Sequence, residues 1–168
     1  MKTKVILKSL LDIMLFVAAA TLLEAIFNVL GVFIDNFPTL LLSDEILEDN
    51  NLGLKSFVIL GLINQLLFFV SILFLRKIAK VYRDQKSVYQ LKILQYLSIS
   101  GWCLFVFSGL EILVRGLEFY VGINSIQYSG IASTQKSALL AVLAILMIRL
   151  SKIFKKTVEQ KKENEFTI

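Results

Sequence analysis

Six residues able to do polar chemistry stand inside otherwise apolar runs of this 168-residue chain. Glu24 and Asn28 are one helical turn apart, as are Glu111 and Arg115, and Asn64 and Gln65 lie in a run between them. Residues at this i,i+4 spacing share a helix face, and an acid that precedes its base, as Glu111 precedes Arg115, is in the favourable order. Two kinds of chemistry suit such a set. The first is a ligand or proton site, with carboxylates and amides offering acceptors to something that enters from one side of a membrane. The second is a structural clamp. A lone charge in the middle of a bilayer costs about 2.5–3.5 kcal/mol even on lenient scales, so intramembrane charges are expected to find partners. Both readings require the residues to meet. In the clamp, Glu111 and Arg115 pair on one helix and Glu24 joins from another.

Other chemistry is missing. The chain has no His, which removes the commonest general base and the commonest zinc ligand. Its one cysteine, Cys103, has no partner for an internal disulfide and reads as a buried inert thiol. There is no glycine-rich phosphate loop, no HExxH, no CxxC, no GxSxG and no paired acidic metal motif. No catalytic residue, metal ligand or cofactor site is therefore expected, and the chain does not read as an enzyme.

The elements that must position the six residues are long apolar segments. Hydrophobic residues make up 57% of the chain and the mean hydropathy is +0.74, against about 45–50% apolar residues in soluble domains. The excess falls into four blocks, at about 10–34, 54–75, 93–117 and 131–153. Each is long enough to cross about 30 Å of hydrocarbon as a helix. The expected fold is an all-α, four-transmembrane-helix bundle forming a single domain over 1–168, with 154–168 as a tail. Ala18, Ala19 and Ala20 could imitate a signal-peptide cleavage site after Lys2, Lys4 and Lys8. The apolar run continues to Phe33, however, so an uncleaved first span is expected. Gly101, Ser98, Ser100 and Ser108 are small residues that let membrane helices approach closely.

Basic residues orient the spans. Of the 18 Lys and Arg residues, only Lys55, Arg115 and Lys136 lie on one side. The N-terminus, the loop from Arg76 to Lys92 and the end of the last span carry the rest. The positive-inside rule then puts both termini in the cytoplasm, in a multi-pass protein of the inner membrane. Asp12 is expected to snorkel or to pair with an inner Lys, and Arg149 to snorkel. The inner basic residues suit anionic lipid headgroups. No groove-reading module is present, so direct nucleic-acid binding is not expected.

The loops differ. The first outer loop mixes Asp35, Asp44, Glu45, Glu48 and Asp49 with apolar residues after Pro38, which predicts a short helix at the outer surface. The second, around Tyr120 to Ser133, suits the interface. The inner loop reads as helical extensions of spans two and three, turning near Asp84, Gln85 and Lys86.

The tail is the most distinctive stretch. It passes through Phe154-Lys155-Lys156 and ends in Glu163-Asn164-Glu165-Phe166-Thr167-Ile168. With the inner loop Tyr82-Arg83-Asp84-Gln85 and the run from Leu91 to Gly101, it resembles the domain of unknown function 2975 family of small four-span bacterial membrane proteins. Phe166 stands where that family usually has Leu. The family has no established activity, and its genes often lie beside one for a small helix-turn-helix regulator. The resemblance implies a membrane protein that holds or releases a cytoplasmic transcription factor. Asn164, Glu165, Phe166, Thr167 and Ile168 could then dock on a partner by strand addition or in a groove. Alternatively they form a frayed, solvated end.

The expected function is non-catalytic: a regulatory or interaction protein with a cytoplasmic partner. The alternative is a subunit of a small oligomeric transporter or channel, since four short spans line little pathway alone.

Overall fold

The computed structural model describes residues 2–34, 52–84, 91–121 and 129–165. They form four α-helices: α1 (Lys2–Phe33), α2 (Leu52–Asp84), α3 (Leu91–Val121) and α4 (Ser129–Glu165). All four are long and apolar enough to cross a membrane. Each predicted span lies within one helix, apart from Ile34 at the end of the first, whose amide still bonds the Leu30 carbonyl at 2.8 Å. The helices outrun the spans. The 37 residues of α4 extend about 55 Å, well beyond the hydrocarbon thickness of about 30 Å. The inner extensions of spans two and three are helical through Asp84 and from Leu91, as predicted. The proposed surface helix after Pro38 and most of the second outer loop lie outside the described residues.

Uninterrupted helix is what these sequences require in hydrocarbon. Every backbone N–H and C=O must be satisfied within the segment, and none of the four helices contains proline. The helices pack in chain order: α1 on α2, α2 on α3 and α3 on α4, while other pairings are marginal. The predicted four-helix bundle thus takes an open form, with α1 and α4 at its two edges.

The surface is as apolar as the core. Phe16 is 78% exposed on α1 and Leu139 65% exposed on α4. In water such side chains would favour burial, but lipid tails are as apolar as leucine. Contacts between the helices instead follow small and polar residues. On α4, Ser137, Ala144 and Ser151 are buried at intervals of seven. On α2, Asn64 and Ser71 repeat the same interval. A seven-residue repeat keeps one seam facing a neighbouring helix.

Two of these seams are hydrogen-bonded. Ser71 and Ser100 place their hydroxyls 2.8 Å apart. Ser100 also donates to the Ser71 carbonyl at 3.1 Å, and Ser71 to the Ser100 carbonyl at 3.2 Å. Ser151 donates to the Leu94 carbonyl at 2.7 Å, joining α4 to α3. Gly101 lets the same two helices close. A Cβ there would lie 2.8 Å from Ile148 Cγ1 and 3.1 Å from the Ala144 carbonyl oxygen.

One end of the assembly is basic. The Arg76 Nε donates to Asp12 Oδ1 at 2.6 Å, so Asp12 pairs with an arginine of α2 rather than with a lysine. Lys77 stands 5.0 Å from the Phe74 ring centroid and 5.8 Å from that of Tyr96. The early part of α1, the end of α2, the start of α3 and the late part of α4 therefore share this end.

Candidate functional site

The polar residues of α2 and α3 meet at one point. Asn64 is 2% exposed, and its Nδ2 donates to Glu111 Oε2 at 2.7 Å. The other carboxylate oxygen, Oε1, lies 3.5 Å from Arg115 Nη2 across one helical turn. Each oxygen of Glu111 thus faces its own donor, which suits a carboxylate that only accepts. Just below, the Phe68 and Phe107 rings stack with centroids 5.1 Å apart and close the joint from the basic end.

The site lies in the half of the bundle away from the basic end. Arg115 is next to Gly116, where the apolar stretch of α3 ends. Glu111 is one turn deeper, by about 6 Å. This depth explains the arrangement: an arginine can hold its carboxylate while its own tip reaches toward the polar boundary.

Residues from α1 share this depth but not these bonds. Twelve residues outward from the Asp12–Arg76 pair along each helix lie Glu24 on α1 and Asn64 on α2. Glu24 is half-buried and makes no hydrogen bond or ion pair with the described residues. The expected clamp between spans one and three is therefore not formed through Glu24. Asn64 of α2 takes that role, and the clamp joins spans two and three. The reason is packing order: α2 stands between α1 and α3. Gln65 is half-buried beside Asn64 and has no hydrogen bond among the described residues.

Two acceptors are left over. The Oδ1 atoms of Asn28 and Asn64 are buried with no hydrogen-bond donor among the described residues. A buried amide oxygen without a donor forfeits about 1–3 kcal/mol, so each is a place where a donor would bind favourably. The sequence singled out Ser100 and Gly101 as small residues at a close approach, but not the partners that face them, Ser71 and Ser151. The seven-residue interval from Asn64 to Ser71 was the signal that could have found the first of them.

In the tail, Asn164 and Glu165 stand on α4 itself, with Asn164 exposed. Phe166, Thr167 and Ile168 lie outside the described residues. No group of three or more residues able to hold a metal ion occurs among the described residues.

Comparison with known proteins yields no match among family models, curated proteins or solved structures.

Proposed function

We propose that this chain is an integral protein of a bacterial inner membrane, with both ends cytoplasmic, and that it works without catalysis by binding a cytoplasmic protein. The basic end is the cytoplasmic one under the positive-inside rule. The observation that carries the reading is the reach of α4. Past Ser151, which bonds the Leu94 carbonyl of α3, the helix runs about 21 Å further to Glu165. Along that length Lys155, Lys156, Glu159, Gln160, Lys161, Glu163 and Asn164 are exposed. A long polar helix held upright on a membrane anchor is a platform for a partner. Being helical, its residues through Glu165 would dock with a helix face in a groove rather than by strand addition. A small helix-turn-helix regulator is the partner implied by the family resemblance.

A photo-crosslinking residue at Gln160, activated in native membranes, tests this. The expected product is an adduct with a soluble helix-turn-helix protein, lost when the neighbours of Gln160 on the same helix face, one turn either side, are changed in Lys156→Glu/Asn164→Lys. Adducts with copies of this chain alone would replace the reading with its alternative, an oligomeric transporter or channel subunit. That alternative draws on the donor-free acceptors of Asn28 and Asn64, where a cation or a proton-bearing ligand could bind.

A further inference from the structure

The outer face of the α3–α4 pair carries a groove with a volume of about 260 Å³, lined by Trp102, Phe105, Ile145, Ile148, Arg149 and Lys152. We propose that it is a binding site for one anionic phospholipid of the leaflet at the basic end. The acyl chain would lie against the aromatic and isoleucine wall, and the phosphate would rest on Arg149 and Lys152. The proposal rests on the reading of the four helices as membrane spans, but not on the identity of any protein partner.

The groove follows from how the two helices meet. Gly101 brings α3 against Ala144 and Ile148 of α4. This close approach leaves a shallow channel between the larger side chains on either side. Trp102 and Phe105, three residues apart, form one wall. Their rings stand edge to face at 88°, with centroids 6.0 Å apart, an arrangement that aromatic pairs favour and that holds both in place. Ile145, Arg149 and Lys152 follow one another at intervals of four and three along α4, so they form a single stripe.

The stripe changes character at the right depth. Ser151 bonds the Leu94 carbonyl, so Arg149 stands level with Tyr96. Tyr96 in turn receives the Lys77 ammonium on its ring, an amphipathic contact typical of the membrane–water boundary. Trp102 lies six residues further along α3, about 9 Å deeper, beside Ile145. The polar end of the groove is thus at headgroup level, and its apolar end is among acyl chains.

Charge selects the occupant. Neither Arg149 nor Lys152 forms an ion pair with the described residues, and both are exposed. The nearest acid in chain order, Glu159, pairs with Lys155. Two cations without an ion-pair partner among the described residues, above an apolar channel, match a phosphate with a hydrocarbon tail, and a zwitterionic lipid carries its own compensating cation. Each cation near an anionic lipid surface enriches it by about fivefold.

Trp102 makes the test direct, because it is the single tryptophan of the chain and is 53% exposed on the groove wall. The full-length protein is reconstituted in phosphatidylcholine vesicles. These contain a minor, equal fraction of either phosphatidylglycerol or phosphatidylcholine brominated on its acyl chains. Trp102 fluorescence is then read. Brominated phosphatidylglycerol is expected to quench severalfold more efficiently. The preference should disappear in the double variant Arg149→Gln/Lys152→Gln and persist in Lys155→Gln/Lys156→Gln, which removes the same charge from the arm. It should also fade in the unsubstituted protein as salt is raised, a reading that needs no variant to fold. Equal quenching by the two lipids overturns the proposal. So does an equal loss in both double variants, which would mean general attraction to a basic surface. Absence of quenching by either lipid also overturns it, because protein would then cover the groove.

Discussion

Helices α1 and α3 are nearly equal in length, at 32 and 31 residues, and both are apolar. Yet only 6% of the apolar window of α1 is buried, against 33% for α3. The more hydropathic of the two, α1, is the less buried. In a soluble protein the order would be reversed. In lipid, apolarity does not distinguish inside from outside, and helices associate through close packing and hydrogen bonds. α3 has what that requires: Ser100 bonded to α2, Gly101 against α4, and Glu111 held by Asn64. Among the described residues α1 contributes the exposed-edge ion pair of Asp12 with Arg76, the buried Leu11 and Ala18, and the Phe33 ring, 5.7 Å from the Lys55 ammonium of α2.

The comparison predicts where substitutions will be felt. The largest effect is expected at Gly101. A leucine there must displace Ile148 and the Ala144 backbone, and overpacking of this kind costs about 1–3 kcal/mol. Leucine in place of the exposed Ala20 on α1 should change the unfolding midpoint in bilayers hardly at all. Equal sensitivity at the two sites would break the contrast.

Next is Asn64→Leu, which removes the donor to Glu111 Oε2. Interhelical hydrogen bonds in membranes are worth about 0.6 kcal/mol on average and up to about 1.7, and the carboxylate acceptor argues for the upper part of that range. Glu24→Gln at the same depth on α1 should be near neutral, within about 0.5 kcal/mol. If Glu24→Gln proves the more damaging in reversible unfolding, Glu24 has a binding partner that the packing does not supply. The Ser71–Ser100 pair should show a coupling of about 0.6 kcal/mol in a double-mutant cycle with alanine. Smallest is Asp12–Arg76. Its side chains are 38% and 45% exposed, so the pair should contribute about 0.2–0.5 kcal/mol and less as salt is raised. Unfolding midpoints of Asp12→Asn at low and high ionic strength check this.

Much of this arrangement was legible in the chain. The spans could be read because hydrocarbon imposes a length and forbids breaks in the helix, and both constraints act on sequence locally. The shared end of the inner segments was legible too, because alternating spans must return there. The pairing of Glu111 with Arg115 was readable as a one-turn spacing on a single helix. For Asp12 the expectation was snorkelling or an inner lysine, and Arg76 takes that place, because many basic residues lie near that end and chain order does not rank them.

What the sequence by itself determined was therefore one-dimensional: four helices, their alternation, and the depth of each polar residue. Counting residues along each span puts Glu24, Asn64 and Glu111 in the same half of the bundle, but three residues in one half can pair in several ways. Which pair forms depends on which helices are neighbours and which faces they turn to each other, and apolar residues that are equally content in lipid or in protein do not specify that. Only the tertiary structure decided it, by placing α2 between α1 and α3. The carboxylate of Glu111 consequently bonds Asn64, Glu24 is left without a partner among the described residues, and Trp102, Arg149 and Lys152, from two helices, come to line one groove.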